Sequence, residues 1–392
     1  MLTFQSAQQL IKPFARSFGT EKVLLDEALG RILAEDVFAD RDYPPFNRAA
    51  MDGFALKAED FHRGIKHFQI IDTIYAGGET AKELSSGQCY KIMTGASVPL
   101  SANVVVRKED AVPSEEGISF SVNEVRRFQN IARRAEDLQQ GQLVLKPHTK
   151  CTASIIALLA SLGMYEVLVE KRPSIAVITT GNEVVPVNGP VSSLQIRNSN
   201  LQLLKALLNS QGIVPAITMH AADNETDLKA ALSEALHHEV VIMSGGVSAG
   251  DADYVPQVLS SLAVQQLFHK VAIRPGKPMW CGHKNDTMVF ALPGNPFSCL
   301  VTFQLFIRYF LDCCIQLPSP SLCLPLQQMR KQKVKLDEFF PAEITGQPSG
   351  LTPISLNGSG DIRLGLGANA LALHPAGREE IATGETVLAI LL

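Results

Sequence analysis

Four segments in the second half of the chain combine glycine with hydroxyl, amide or charged side chains. They are Thr180-Gly181-Asn182-Glu183, the run from Ser244 to Asp251 (SGGVSAGD), Arg274 to Pro278 (RPGKP), and Leu292 to Pro296 (LPGNP). Glycine lets backbone N–H groups approach an anion closely, and a helix start adds partial positive charge. Such loops suit a phosphate- or pterin-sized polar ligand. The second is the richest, with Ser244, Gly245, Gly246, Ser248 and Gly250 as candidate contacts. Four acids fall in or just after these loops: Glu183, Asp223, Asp251 and Asp253. Carboxylates beside anion-binding loops commonly hold Mg²⁺, which makes Glu183 and Asp251 candidate metal ligands. Helix capping is the competing role for Asp223 and Asp253, since each precedes an expected helix.

Two familiar motifs overlap the second loop. Gly245 to Gly250 has the glycine spacing of a P-loop, but Asp251 stands where lysine is required, so that chemistry fails. Gly246 to Gly250 also matches G-x-S-x-G, the nucleophile elbow of a serine hydrolase, with Ser248 as nucleophile and His269, His283 or His374 as base. That alternative leaves the other three loops without a task.

Loops of this kind need a scaffold that brings them to one edge. Strand-like runs at Ile175–Thr179, Ile213–Thr218, Val240–Met243, Lys270–Ile273 and Met288–Ala291 are separated by helical patterns at Asn200–Gln211, Glu225–His237, Val255–Leu262 and Phe297–Leu317. This alternation predicts βαβ units around a mostly parallel sheet, whose ligands bind at the carboxyl ends of the strands. Ahead of it, Ser6 to Gln9 suggests a capping box and Leu25–Glu35 a helix. Asp40 to about Gly141 is rich in short β-type runs such as Gln69–Tyr75, Val104–Arg107 and Ile118–Val122. An apolar helix over Cys151–Leu162 should end at Gly163, and the chain after Pro318 turns β-like again.

Composition narrows the function class. The 392 residues carry 35 Lys and Arg against 39 Asp and Glu, a net charge of −4, which argues against a nucleic-acid-binding role. Seven cysteines, none spaced as C-x-x-C, argue against a disulfide scaffold or zinc site and suggest the cytoplasm. The start MLTFQSAQQL lacks the pattern of a signal peptide. Phe297–Leu317 is apolar enough to suggest a membrane span, but Gln304, Arg308 and Asp312 recur on one face, so a buried amphipathic helix and no membrane partner are expected.

Together with YPPFNRAAMDGFAL at Tyr43–Leu56 and KIMTGASVP at Lys91–Pro99, the segments SGGVSAGDADY, AIRPGKP and LPGNPFS resemble the molybdopterin molybdenumtransferase family, the MoeA type that includes the gephyrin E domain. The resemblance covers essentially the whole chain. It implies a multidomain α/β and β fold with a central MoaB/Mog-like α/β domain at 174–318 whose sheet is mostly parallel. It further implies a split helical domain at 1–40 and 145–173, an inserted β-rich domain at 41–144 and a C-terminal β domain at 319–392. The implied reaction inserts molybdenum from molybdate into adenylylated molybdopterin and releases AMP, assisted by Mg²⁺. A homodimer is implied, with the active site between the sheet domain of one subunit and the inserted domain of the other, as is a possible hand-over from the upstream molybdopterin adenylyltransferase.

Residue by residue, the resemblance implies roles for Asp52 and Thr94 at the cleft, for Asp137 closing the family's N-I-R-x-x-G-E-D motif, and for the acids Glu183, Asp223 and Asp253. Lys270, Arg274 and Lys277 match its basic cluster, and Pro293 and Pro296 hold the LPGNP turn. Four positions depart from the family's pattern. The family's first Arg in that motif is Ala132 here, which cannot bind an anion, and its Gly is Ala135, which resists positive φ. Arg197 stands where Asp is frequent, and Arg274 replaces a common Lys. The altered motif raises a second possibility, a member that holds the pterin or scaffolds partners without inserting metal.

Overall fold

The computed structural model describes residues 1–78, 82–115, 117–247, 254–332 and 335–392. The chain divides into two compact units: Val23–Leu29 with Leu33–Val167, and Met1–Lys22 with Gly30–Ile32 and Leu168–Leu392.

Short strands rich in β-branched residues build the first of these units. Strands β1 (Gly53–Leu56), β2 (Gln69–Ile74), β3 (Gln88–Ile92) and β4 (Val104–Arg107) form a sheet in the order β2-β3-β1-β4. Only the β2–β3 pair is parallel. Alternation of side chains sends Phe54, Leu56, Val104 and Val106 into one buried cluster and Ala55, Tyr90, Ile92 and Val105 into another. Gly53 is required where β1 crosses β4, because a Cβ there would lie 2.0 Å from the Val106 carbonyl oxygen. A helix over Ala153–Ser161 is capped by the Thr152 hydroxyl and followed by Gly163 at φ +75°.

The helix expected over Leu25–Glu35 does not form; only a single 3₁₀ turn, Leu25–Glu27, is present. Long-range pairing overrides the local pattern: Leu33 exchanges backbone bonds with His148 and Thr149, and Val37–Phe38 pairs with Leu143–Leu145.

In the second unit, Ile175–Thr180 is buried along its full length, the pattern of a central parallel strand. Its sheet comprises β5 (Ile175–Thr180), β6 (Ile217–Ala221), β7 (Val240–Ser244), β8 (Gln265–His269), β10 (Trp280–Lys284) and β11 (Thr287–Leu292), and β9 (Ile273–Arg274) lies outside it. The order is β6-β5-β7-β11-β10-β8; the first four run parallel, and β10 alone is reversed, pairing antiparallel with both β11 and β8. Ile175, Val177, Ile242 and Phe290 face helices α1 (Ser199–Ser210) and α4 (Pro296–Thr302). Ala176, Ile178, Val241 and Val289 face α2 (Glu225–Ala235) and α3 (Val255–Ser261). Helix α4 continues through a π-helical segment to Cys314, and 83% of its apolar window is buried. The N-terminal helix Phe4–Ile11 packs Phe4, Ala7 and Ile11 into the first of these clusters, and Thr3, not Ser6, caps it.

Four strands differ from expectation, one of them β8, which none of the expected runs covers. β6 starts at Ile217, past Pro215, instead of at Ile213. Lys270–Ile273 is not a strand of the parallel sheet: Lys270 adopts φ +70°, and β9 instead pairs with the C-terminal sheet. β10 was not anticipated, because its Cys281-Gly282-His283 core lacks a strand-like apolar run.

That C-terminal sheet contains β12 (Ser321–Pro325), β13 (Asp337–Thr345), β14 (Gly350–Pro353), β15 (Ala370–His374) and β16 (Thr386–Leu391). Its order is β9-β13-β15-β16-β12, with β14 added to β13.

Candidate active site

In the β-rich unit, Asp52 immediately precedes β1, and its backbone carbonyl accepts from the Lys108 N–H that follows β4 (3.0 Å). The turn after β3 brings Thr94 to the same place. Oδ1 of Asp52 accepts from both the backbone N–H (2.8 Å) and the hydroxyl (2.7 Å) of Thr94. Oδ2 lies 3.3 Å from the Lys108 ammonium. The Thr94 bonds, aided by Lys108, lower the Asp52 pKa to about 2, so the site presents a fixed carboxylate. Lys108 had not been anticipated; its position one residue beyond a strand that pairs with β1 was the only available signal.

Asp137 sits at an exposed turn of the same unit, where its backbone N–H donates to the Tyr43 carbonyl. Nearby, Ala135 adopts φ +62°, the left-handed conformation that glycine would take without strain. Arg134 is committed to Asp42 (2.7 Å).

In the α/β unit, three of the four glycine loops converge at the carboxyl edge of the sheet. A Cβ on Gly245 would stand 2.5 Å from the Thr180 hydroxyl, and one on Gly294 would stand 3.7 Å from the Gly245 Cα. Asn200, in the first turn of α1, ties the loops together: its amide donates to the Ser244 hydroxyl (2.9 Å) and to the Gly294 carbonyl (2.7 Å). Among the described residues, two buried oxygens here have no hydrogen-bond partner, the Thr180 hydroxyl and the Asn200 side-chain carbonyl. Buried polar atoms are nearly always satisfied, so these two oxygens mark a polar position at this edge.

Glu183 lies beside Gly181, whose carbonyl is bonded by His220, and the Asn182 side chain accepts from the Asp223 N–H (3.1 Å). Asn224, not Asp223, caps α2, so the competing helix-cap role for Asp223 is removed. Asn200 and His220 were not anticipated, because each works through contacts distant in sequence.

The RPGKP loop faces a different space. Arg274 to Pro278 line a cleft of about 780 Å³ together with Pro293 and residues of the C-terminal sheet. Lys270 is not among its lining residues, so the basic cluster contributes Arg274 and Lys277 here. Pro296 occupies the first turn of α4, behind Asn295.

Ser248, Gly250, Asp251 and Asp253 lie outside the described residues. Among the described residues, no group of three His, Cys, Asp or Glu side chains could hold a metal ion. One carboxylate, Glu183, is nonetheless compatible with the usual Mg²⁺ mode, in which substrate phosphates and water complete the shell. Of the histidines offered to a serine nucleophile, His374 is fully buried between Arg330 and the Arg378 carbonyl and His283 bonds the Asn285 carbonyl, while Nε2 of His269 is buried with no hydrogen-bond partner among the described residues.

Comparison with known proteins accounts for nearly the full length. Residues 2–163 match the family described as the MoeA N-terminal region (domain I and II), 176–312 a probable molybdopterin binding domain, and 324–392 the MoeA C-terminal region (domain IV). The chain is 35% identical to the molybdopterin molybdenumtransferase of Bacillus subtilis, covering 97% of this chain and 91% of that one. It is 31% identical to the protein of that name from Synechocystis, covering 98% of both. The solved structure of the molybdopterin biosynthesis MoeA protein of Pyrococcus horikoshii superposes with a TM-score of 0.86 at 28% identity over the whole of both chains. On sequence and fold alike, the chain belongs to the molybdopterin molybdenumtransferase (MoeA) family.

Proposed function

We propose that this chain inserts molybdenum from molybdate into adenylylated molybdopterin, with release of AMP, in molybdenum cofactor biosynthesis. The observation that carries this reading is identity of 31–35% with enzymes named molybdopterin molybdenumtransferase over nearly their full length. The local geometry supports it. The glycine loops allow close backbone approach, and the Thr180 and Asn200 oxygens beside them, unpartnered among the described residues, suit a polar pterin and its phosphates. Arg274 and Lys277 supply positive charge for the oxyanion, and the Asp52–Thr94 pair supplies a carboxylate of fixed ionisation. A dithiolene that takes up molybdenum needs orientation more than a protein nucleophile.

Mg²⁺, when bound, would neutralise the substrate's pyrophosphate, with Glu183 as its described carboxylate and Asp251 as the second candidate. The four-domain division at residues 40, 144, 173 and 318, a homodimeric state, a cytoplasmic location and receipt of substrate from a molybdopterin adenylyltransferase complete the proposal. So do substrate contacts by Asp137, Lys270, Pro293 and Pro296, and catalytic roles for Asp223 and Asp253.

The test is AMP release from adenylylated molybdopterin by the purified chain with Mg²⁺ and molybdate. Molybdate-dependent AMP is the expected result; tight pterin binding with no AMP would establish a binding protein instead.

A further inference from the structure

In the second unit a pocket of about 60 Å³ lies at the amino edge of the parallel sheet, away from the glycine loops. Pro173 leads from it into β5, Gln211 follows α1, and Leu311 and Cys314 belong to the end of the helix that continues α4. Its walls are mainly apolar, with Phe18, Ile32, Ile213 and Leu311. Three cationic side chains, Arg31, Lys171 and Arg172, also line it, against the two carboxylates Glu170 and Asp312.

Both carboxylates are engaged elsewhere. Oε2 of Glu170 accepts from the Ser17 hydroxyl (2.6 Å), and Asp312 faces Arg308 one turn back on its own helix (4.0 Å). Arg31 is buried and engaged as well: its Nη2 donates to Oε1 of Glu21 (2.6 Å) and to the Glu170 carbonyl (2.9 Å). Arg172 is different. Half-buried, it has no hydrogen-bond or ion-pair partner among the described residues. Its guanidinium lies against Gly212, where a Cβ would stand 2.1 Å from Nη2 and displace it, and Gly212 itself holds φ +69°. Burial pushes the Arg172 guanidinium below its ordinary pKa, and the Arg31 charge adds to that, with Glu21 in opposition. A half-buried cation beside a second cation, with its donors unused, favours an anion from outside the chain.

We propose that this pocket is a binding site for a small monocarboxylate, its carboxylate paired with the Arg172 guanidinium and its short apolar tail against Phe18, Ile32 and Leu311. A planar guanidinium matches a carboxylate through two parallel hydrogen bonds, whereas the further oxygens of phosphate or sulfate would face apolar walls. Volume sets the size of the ligand. A cavity of about 150 Å³ takes benzene, so one of about 60 Å³ takes a carboxylate of about two or three carbons. The site does not depend on the molybdenum chemistry proposed above.

The experiment titrates the full chain with acetate and propionate at fixed ionic strength, read by saturation-transfer NMR and by Tm. Propionate should give a saturable signal and raise Tm, since a ligand that binds only the native state stabilises it. Arg172→Gln should weaken propionate binding by roughly tenfold to hundredfold, the loss of one charged hydrogen-bonding partner. Arg172→Lys should recover part of this, because charge returns without the fork. Arg274→Gln, in the other cleft, should leave propionate binding unchanged. Hexanoate and benzoate, too large for the pocket, should not displace propionate, a size limit read on the wild-type chain without any substitution. Sulfate that binds as tightly as propionate and depends on Arg172 would overturn the ligand class. No saturable propionate signal in the wild type, or affinity within twofold of wild type in a folded Arg172→Gln variant, would overturn the site itself and leave a pocket filled by water.

Discussion

Both donors of Thr94, its backbone N–H and its hydroxyl, converge on a single oxygen of Asp52, at 2.8 and 2.7 Å. Two residues that stand 42 positions apart are thereby locked into one unit, with Lys108 on the other carboxylate oxygen. This arrangement fixes both the rotamer and the charge of Asp52.

Removing the carboxylate should be far more damaging than removing one donor. Asp52→Ala is expected to lower kcat/KM for AMP release by at least about a hundredfold, as for loss of a preorganised charged group. Thr94→Ala keeps the backbone donor and should cost only about tenfold, the worth of one hydrogen bond to a charged group. Thr94→Ser should restore activity.

The same contacts set a pH expectation. With a pKa of about 2, Asp52 stays ionised from pH 5 to 8, so the pH profile of AMP release should show no acid limb from this group. A depressed carboxylate pKa contributes stability above its unfolded value of about 3.9, and that contribution is lost as pH falls toward 2. An acid limb between pH 4 and 6 that vanishes in Asp52→Asn would contradict this assignment.

Gly245 adopts φ +107°, and a side chain there would collide with the Thr180 hydroxyl at 2.5 Å. Gly245→Ala should therefore destabilise the chain by about 2–3 kcal/mol in urea unfolding, from backbone strain plus displacement of the loop. Pterin binding should weaken in parallel, because the converging loops would part.

Ala135 presents the converse case. It holds φ +62°, which costs an L-residue about 1–2 kcal/mol, whereas glycine adopts it freely at an entropic cost of about 0.5–1 kcal/mol. Ala135→Gly should leave stability unchanged or raise it by up to about 1 kcal/mol in a thermal melt. A fall in Tm would show that the methyl group makes packing contacts that outweigh the strain.

His374 should make the α/β unit sensitive to acid. Burial lowers its pKa, the Arg378 carbonyl opposes that shift, and Arg330 reinforces it. The unfolded chain then takes up a proton near pH 6.5 while the folded chain does not, so stability falls as pH drops from about 6.5 to the folded pKa. The urea midpoint should decline from pH 7.5 to 5.5 in the wild type and decline less in His374→Asn. Equal slopes in the two proteins would assign the acid sensitivity to other groups.

Local pattern was enough to identify the parallel core. β5, β7 and β11 are continuous, mostly apolar runs buried along nearly their full length, and the helices between them show a 3.6-residue period, because burial on both faces leaves a strong local signature. The glycine loops were legible from turn chemistry after strands, whereas Asp52 and Thr94 were singled out only by the family resemblance of the segments that carry them, since Asp and Thr are common turn residues. Leu25–Glu35 and Lys270–Ile273 misled, since an amphipathic or apolar run does not say which partner will bury it.

Amino-acid order by itself determined the family, the strand and helix alternation, and the residue types offered to an anionic ligand. Only tertiary structure decided which of them meet. Asn200 reaches Gly294 across 94 positions and Arg330 reaches His374 across 44, joined by hydrogen bonds whose geometry depends on sheet order and register. β9 likewise left the parallel sheet for the C-terminal one, carrying Arg274 to a cleft shared with Arg330 and Glu338. Propensity and periodicity act over a few residues, whereas the pairing that buries a strand edge or satisfies a charge is settled by groups distant in sequence.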